Sequence, residues 1–249
     1  MMNSDDNLIS YSEHYEGKLY KLQNGVLNIV KNLNVPFYLT GGTALSRGYY
    51  HHRYSDDLDF FVNHDNSFNT YADAILGALK ESGYTWNPEL FRKAIDFYSL
   101  KVHHPDFDCG LKIDFVNDIS VHFGSIITTD FFYRTDSIRN ILSNKITAVF
   151  RFSGKDIADI YEICKHEHFN WIDVFKEVRE KEAGVEPSEV SGIINGFPEK
   201  EFYEIKWTKK RDFPEFKRSI DRIAKDILEL SDNTLYQHNS KLYRKDITR

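Results

Sequence analysis

The spacing of apolar side chains predicts alternating helices and strands over the first half of the chain. Leu19, Leu22 and Val26 recur at three- and four-residue intervals, which is typical of a helix, and Pro36 is expected to stop that helix. Short apolar runs and period-two alternation indicate strands, and Asp65-Asn66-Ser67 is a candidate helix start. The predicted elements are a helix over 17–33, a strand over 37–39, a helix over 43–50, a strand over 58–62, a helix from about 68 to 82, and strands over 97–102 and 111–116.

Beyond the polar cluster Thr135-Asp136-Ser137, the apolar positions repeat only with a helical period. One stripe consists of Ile138, Ile141, Leu142, Ile146 and Val149, and another of Ile157, Ile160, Tyr161 and Cys164. Strand patterns stop near residues 130–136. The sequence therefore predicts an α+β protein, in which a domain of residues 1–133 holds a mixed sheet with flanking helices and residues 134–249 form a C-terminal α-helical domain.

Composition narrows the class of protein. The chain has 249 residues, of which 41% are hydrophobic and 28% charged. This balance is expected for a soluble globular protein. No apolar run approaches the roughly 20 residues of a membrane helix, and the polar, acidic segment 1–12 predicts no signal peptide. Two cysteines, Cys109 and Cys164, argue against a disulfide framework and for a reducing compartment. We therefore predict a cytoplasmic protein without a membrane partner.

The net charge of −6 is unevenly distributed. Residues 1–133 carry 10 Lys and Arg against 17 Asp and Glu, a net charge of −7, and residues 134–249 carry 22 against 21, a net charge of +1. Basic residues concentrate in the runs 206–211 and 241–249. Such runs either contact phosphates or form a solvated surface, and composition favours neither alternative.

Acidic residues interrupt two apolar strands. Asp57 and Asp59 are two positions apart on a predicted strand, so their side chains point to the same face. Two carboxylates on one face repel each other unless a cation neutralises them, and Mg²⁺ prefers such hard oxygen ligands. Asp114 lies on another apolar strand and could complete a three-carboxylate site, with Lys112 two residues away on the same face. An exposed pair of acids without a ligand is the alternative.

A double glycine precedes these acids. Gly41-Gly42-Thr43 separates a strand from a helix, and glycines allow backbone N–H groups to approach a phosphate closely. The Thr43 hydroxyl could add a hydrogen bond. A glycine turn before a helix, followed by an Asp-x-Asp strand and a later acidic strand, is more specific than any one of these features.

This order resembles the nucleotidyltransferase fold of the DNA polymerase β superfamily. The motifs LTGGTALS and HRYSDDLDFF, followed by LKIDF and LSNKITAVFRFSGKDIADIY, are similar to those of AbiEii/AbiGii-type nucleotidyltransferases. These are toxins of bacterial type IV toxin–antitoxin and abortive-infection systems. The likeness spans residues 39–161. It implies a nucleotidyltransferase-fold sheet and a helical domain that completes the active-site cleft.

The resemblance also implies a role for individual residues. The metal site would consist of Asp57, Asp59 and Asp114, with Asp114 also a possible general base. Gly41, Gly42, Thr43 and Lys112 would bind the nucleotide. Lys145 would neutralise phosphate charge, and the helical wall of the site would consist of Lys155, Asp156 and Asp159. One departure is that Gly42 stands where the wider superfamily often has Ser.

Simpler explanations exist for the helical residues. Lys145 lies on the apolar stripe of its helix, where a lysine either snorkels to the surface or finds a charged partner. Lys155 and Asp159 are four residues apart and could form an ordinary helix ion pair.

The resemblance and the acidic strands together predict a Mg²⁺-dependent enzyme that transfers a nucleotide from a nucleoside triphosphate to an acceptor hydroxyl. The favoured acceptor is RNA, especially tRNA, and a separately encoded antitoxin would restrain this toxin. Two alternatives stay open: a small-molecule nucleotidyltransferase of the antibiotic-modifying type, and a non-catalytic protein that binds a nucleotide and regulates a partner.

Overall fold

A computed structural model describes residues 11–236 and divides the chain into two compact units. The first unit comprises the residues up to Ser137 together with Trp207–Lys210, and the second comprises Ile138–Lys206 and the residues from Arg211 onward. The division after Ser137 falls where the alternating strand pattern has given way to helical periodicity. The segment Trp207–Lys210 belongs to the first unit because Trp207 bridges to Arg53 and the Thr208 N–H donates to the His52 carbonyl.

A five-stranded mixed sheet forms the centre of the first unit. Its strands are β1 (Tyr38–Thr40), β2 (Leu58–Asn63), β3 (Arg92–Lys93), β4 (Phe97–His103) and β5 (Gly110–Asp118). Their order across the sheet is β1-β2-β5-β4-β3. The β2–β5 pair is parallel and the other pairs are antiparallel. The α+β class predicted from the sequence is thus confirmed.

Helices of the first unit surround this sheet. They are α1 (Tyr20–Leu33), which a π-helical turn over Tyr15–Leu19 precedes, α2 (Gly41–Leu45), which a π-helical turn over Ser46–Tyr50 follows, and α3 (Phe68–Glu81). A 3₁₀ turn spans Pro88–Leu90.

The second unit is helical throughout its described part. It contains α4 (Ile138–Ala148), α5 (Gly154–His166), α6 (Trp171–Lys181), α7 (Pro187–Asn195), α8 (Glu199–Glu204) and α9 (Phe213–Glu229), with a 3₁₀ turn over Val149–Arg151. Helix α9 buries one apolar stripe, as expected for an amphipathic helix. Helix α5 is buried on nearly all sides and includes the buried acids Asp156, Asp159 and Glu162.

Alternation along the strands sends one face of the sheet into the core. On β2 the burial alternates strictly, so that Phe60 is fully buried while Asp59 and Phe61 are only partly covered. Phe60 stacks on Phe115 of β5, and Phe68 of α3 packs edge-on against Tyr98 of β4. The opposite face, which carries the acids, is only partly covered along β2.

Some local predictions differ from the structure. The first helix ends at Leu33, as predicted, but the chain leaves it at Asn34, which has a left-handed conformation with φ of 50°, before Pro36 is reached. Ser67 forms no side-chain cap for α3; instead, its N–H donates to Asp65 Oδ1 at 2.7 Å. The two-residue strand β3 is too short to leave a periodic pattern.

The basic run 206–211 does not form one continuous charged surface. Trp207 is buried, and Arg211 pairs with the buried Glu162 at 3.2 Å. Lys209 and Lys210 are exposed. The second basic run, 241–249, lies outside the described residues.

None of the helices described between residues 11 and 236 combines the length and the apolarity that crossing a membrane would require.

Candidate active site

A row of polar residues crosses the face of the sheet opposite the buried Phe60. Strand register pairs Thr40 with Asp59, Asp59 with Asp114, and Asp114 with Ser99, which in turn pairs with Arg92. Paired residues in neighbouring strands point to the same face, so Asp59 and Asp114 are adjacent on parallel strands. The structure therefore brings together two of the three acids that the sequence singles out.

The third acid is Asp57, which lies directly before β2. It is two residues from Asp59 and partly exposed, whereas Leu58 between them is fully buried. The charges of Asp57 and Asp59 also act on Lys112, which lies on β5 beside them. Asp57 thus belongs to the same charged face.

Lys112 is the cation within this acidic face. Partial burial lowers the pKa of Lys112, but a hydrogen bond to Asp114 and the charges of Asp114, Asp57 and Asp59 raise it, and the net shift of the pKa is upward. Lys112 Nζ lies 2.5 Å from Asp114 Oδ2. Its ammonium group is therefore held protonated by the acids and neutralises part of their charge.

Hydrogen bonds hold both carboxylate oxygens of Asp114. The Ser99 hydroxyl donates to Asp114 Oδ1 at 2.6 Å, while Lys112 donates to Oδ2. With 15% of its side chain exposed, Asp114 is sheltered but reachable from solvent. Two fixed contacts set the direction of this carboxylate before any ligand arrives.

Gly41 opens α2 directly beside Asp59. Its φ is +69°, a left-handed conformation that side-chain-bearing residues rarely adopt. A Cβ at this position would lie under 3.0 Å from Asp59 Oδ2. The glycine is thus required twice, by its backbone conformation and by the close approach of a carboxylate.

Gly42, the second glycine of the turn, lies against a buried arginine. Its missing side chain leaves room for Arg53, because a Cβ there would lie under 3.0 Å from Arg53 Nη2 and 3.2 Å from Ser55 Oγ. Arg53 is 2% exposed and donates from Nη1 to the Tyr54 carbonyl at 3.0 Å. The missing Gly42 side chain thus points towards the buried Arg53. The approach of the Gly42 backbone to a phosphate stays a prediction.

Thr43 also turns inward. Its hydroxyl lies 2.8 Å from Ser55 Oγ and hydrogen-bonds the Asp57 carbonyl, and the residue is 1% exposed. Both contacts of this hydroxyl are to the protein itself. Instead, Thr43 ties the glycine turn to the backbone of Asp57 and so fixes the position of the acidic strand.

The donors on this face suit a hard cation. Carboxylate oxygens are the ligands that Mg²⁺ prefers, and Mg²⁺ commonly binds through one or two carboxylates together with substrate phosphates. In the described range 11–236, no group of three or more His, Cys, Asp or Glu is arranged to hold a metal ion. Asp59 and Asp114, which strand register makes neighbours, could supply two carboxylate ligands to such a cation.

In the second unit, Lys145 forms the centre of a buried charged cluster. Its Nζ lies 2.7 Å from Asp156 Oδ1 and 2.7 Å from Asp159 Oδ2. Asp159 is fully buried, and Arg151 Nη2 approaches Asp156 at 3.5 Å. Lys145 has thus found charged partners rather than snorkelling to the surface. Lys155 lies half-buried on the same helix as the two acids.

The predicted residues consequently fall into two sets. The first unit contains the glycine turn, Asp57, Asp59, Lys112 and Asp114. The second unit contains Lys145, Lys155 and Asp156.

Two serines that hold this site were missed. Ser99 orients Asp114, and Ser55 contacts the Thr43 hydroxyl. The alternation of β4 does place Ser99 on a polar face, but only the strand register shows that this face meets Asp114.

Comparison of the sequence with protein families and with known proteins shows which family it matches. A family model described as "Nucleotidyl transferase AbiEii toxin, Type IV TA system" matches residues 29–235. A search of curated proteins finds no match.

Two solved structures from Helicobacter pylori have a similar fold. One is the crystal structure of JHP933, with 20% sequence identity, a TM-score of 0.57, and coverage of 92% of this chain and 96% of that one. The other is a "putative nucleotidyltransferase from H. pylori", with 22% identity, a TM-score of 0.58, and coverage of 89% and 96%. At these identities the likeness concerns the fold alone.

Proposed function

Because the chain belongs to the AbiEii family of nucleotidyltransferase toxins of type IV toxin–antitoxin systems, we propose that it is a Mg²⁺-dependent enzyme that transfers a nucleotide from a nucleoside triphosphate to a hydroxyl of RNA. Within that class of acceptor, tRNA is favoured. Membership of a toxin–antitoxin family implies an antitoxin partner, which we propose is a separately encoded protein.

One observation carries this proposal. Asp59 and Asp114 lie side by side on parallel strands, next to a glycine whose conformation and closeness to Asp59 exclude a side chain. A nucleotide-binding regulator needs no such pair of adjacent carboxylates, whereas phosphoryl chemistry needs charge neutralisation at the reacting phosphate.

In the proposed reaction, the acceptor hydroxyl oxygen forms a bond to the α-phosphorus of the triphosphate. The bond between that phosphorus and the oxygen bridging to the β-phosphate breaks, and pyrophosphate leaves with the electron pair. The hydroxyl proton passes to a base, for which Asp114 is the proposed candidate. The products are a nucleotide-extended acceptor and pyrophosphate.

Mg²⁺, held by Asp57, Asp59 and Asp114, would neutralise phosphate charge and lower the barrier to attack by the acceptor. Ser99 keeps the Asp114 carboxylate in one orientation, so this contact can be kept when substrate binds. Lys112 can exchange its contact with Asp114 for a phosphate oxygen, which would expose Asp114 as ligand or base. The Gly41 and Gly42 backbone would bind the triphosphate, and Thr43 positions that turn. Lys145, Lys155 and Asp156 stay proposed as the nucleotide-contacting residues of the helical unit.

The test is incubation of the purified chain with labelled nucleoside triphosphates, Mg²⁺ and total RNA. We expect label in RNA from the wild type and at least a hundredfold less from Asp59→Asn and Asp114→Asn, since each loses a charged metal ligand worth several kcal/mol. Asp118→Asn, four residues beyond Asp114 on the same strand, is the control with full activity. Equal labelling by all four proteins would contradict the assignment of these acids.

A further inference from the structure

The segment 53–57 leads the chain to Asp57 without the support of a helix or a strand ladder. Apart from an isolated bridge at Arg53, these residues lie outside the regular elements, between the π-helical turn that follows α2 and strand β2. Tyr54 and Ser55 are buried, and buried backbone of this kind needs hydrogen-bond partners from elsewhere in the protein. The position of Asp57, a proposed metal ligand, therefore depends on the side chains that hold this segment.

Helix α1 supplies two of these side chains. Gln23 Nε2 donates to the Ser55 carbonyl at 3.1 Å, and the Ser55 N–H donates to the Tyr20 hydroxyl at 3.3 Å. Gln23 is fully buried, and its Oε1 accepts from Arg47 Nη1 at 2.8 Å, which fixes the orientation of the amide. Both backbone polar groups of Ser55 are thus hydrogen-bonded by side chains of one helix.

Tyr15, in the π-helical turn that precedes α1, supplies a third side chain. Its hydroxyl donates to Asp56 Oδ1, and its ring stacks on Tyr54 with the ring centroids 4.5 Å apart. Tyr15 is fully buried, so the protein interior holds the ring in this place. Tyr15 therefore holds the segment at two of the three residues immediately before Asp57.

The π-helical turn brings Tyr15 and Tyr20 to the same side of the helix. The Tyr20 N–H donates to the Tyr15 carbonyl, five residues earlier, and the two rings lie 5.5 Å apart. In a regular α-helix, residues five apart point about 140° away from each other, which would direct only one of the two rings at the segment. Such π-helical turns are rare and occur frequently at functional sites. This turn allows both tyrosines to hold the segment.

We propose that Tyr15, Tyr20 and Gln23 are positioning residues of the metal site, which hold the segment before β2 so that Asp57 is in place before the cation binds. The inference rests on the proposed function and adds the residues that set its metal affinity. Mg²⁺ requires nearly ideal octahedral geometry, so displacement of one carboxylate ligand weakens its binding. Loss of a contact that orients a metal ligand typically costs about ten- to a hundredfold in metal affinity.

The experiment measures binding of Mn²⁺, which suits the same carboxylate ligands as Mg²⁺, by electron paramagnetic resonance. Tyr15→Phe removes only the hydroxyl that holds Asp56 and keeps the stacked ring. We expect its Kd for Mn²⁺ to rise about tenfold. The Mg²⁺ concentration for half-maximal nucleotide transfer should rise by a similar factor, with a much smaller change in the rate at saturating Mg²⁺.

Tyr98→Phe is the matched control. It also removes the hydroxyl of a fully buried tyrosine of the first unit, one that donates to Asn69 Oδ1 at 2.9 Å. Both variants should show similar small losses of stability in denaturant titrations, but Tyr98→Phe should keep the wild-type Kd for Mn²⁺.

Deleting one residue of the π-helical turn tests the turn itself. Deletion of Gly17 should convert it to an α-helical turn, which rotates Tyr15 by about 100° relative to Tyr20. The Kd for Mn²⁺ should then rise at least as much as in Tyr15→Phe. Gly17→Ala is the control and should leave the Kd unchanged, because a Cβ at Gly17 would meet nothing within 4 Å.

Equal Mn²⁺ affinity of Tyr15→Phe and Tyr98→Phe would overturn the positioning role. It would leave the proposed function standing if Asp59→Asn still abolishes Mn²⁺ binding and transfer. A wild type that neither binds Mn²⁺ nor transfers nucleotide would instead overturn the proposed function, and the inference with it, so the two failures are distinguishable.

Discussion

Asp59 Oδ2 occupies the space into which a side chain on Gly41 would project. The carboxylate and the glycine turn therefore pack as one unit, in which the turn can be changed only by moving the acid.

This relationship predicts the effect of Gly41→Ala. The left-handed conformation should cost about 1–2 kcal/mol of stability, and the new methyl group should displace Asp59. Gly83→Ala is the matched control, because Gly83 also has a positive φ, of +86°, but a Cβ there would meet only His104 at 3.4 Å. Both variants should lose similar stability in denaturant titrations. Only Gly41→Ala should lose nucleotide transfer, by about tenfold or more beyond its control. Equal transfer activity of the two variants would show that the missing side chain at Gly41 is not needed for transfer.

A second prediction concerns the buried cluster around Lys145. Lys145→Met would leave two buried carboxylates, Asp156 and Asp159, without their shared ammonium group. We expect a loss of about 3–5 kcal/mol in the free energy of unfolding. Lys176→Met breaks an exposed ion pair with Asp173 on a neighbouring helix. That control should cost about 0.5 kcal/mol or less. Chemical denaturation measures both, and a small loss for Lys145→Met would show that the cluster is not an important source of stability.

The third prediction concerns the turn between α4 and α5. Phe152 adopts a left-handed conformation with φ of 54°, and its side chain is 70% exposed. Replacing it by glycine relieves the backbone at little loss of burial, so Phe152→Gly should gain about 0.5–1 kcal/mol of stability. Leu230→Gly is the comparison at the end of α9, where φ is 49° but the side chain is partly covered and its removal loses packing. If Phe152→Gly melts below the wild type, the aromatic ring stabilises the turn by contacts that outweigh the strain.

An alkaline titration provides the fourth prediction. Burial raises the pKa of Tyr20 to about 12 and the pKa of Tyr161 to about 12, from an ordinary value near 10. In the unfolded chain both phenols ionise near pH 10, so the folded state binds more protons above that pH. Stability is therefore full below about pH 10 and is lost as the pH rises towards 12. Tyrosinate absorbance should show these late-titrating groups, and Tyr161→Phe should reduce the alkaline loss; an unchanged profile would contradict the assigned cause.

The sequence predicts the acidic face well because period-two alternation is a local property. Asp59 and Asp114 could each be assigned to a polar strand face from their immediate neighbours, and Asp57 directly precedes the first of these strands. The adjacency of Asp59 and Asp114 could not be derived in this way, because it depends on the parallel register of strands that are far apart in the chain.

The glycine turn illustrates the opposite case. Its motif was recognised, but the direction of the missing Cβ at each glycine depends on tertiary packing. Gly41 faces Asp59 and Gly42 faces the buried Arg53, and the motif does not distinguish them. For the Lys145 cluster, the i,i+3 spacing of Asp156 and Asp159 already indicates one helix face. Only the packing of α4 on α5 shows that Lys145 meets that face.

The parallel pairing of β2 with β5 also determines when the acidic face can exist during synthesis of the chain. Asp59 and Asp114 are distant in sequence, and α3, β3 and β4 lie between them. Closing such a separation costs chain entropy before any contact repays it, so non-local pairs of this kind form slowly. A nascent chain that ends before Gly110 contains the glycine turn and two of the acids but cannot contain the carboxylate row. The complete carboxylate row can therefore form only after nearly half of the chain has been synthesised.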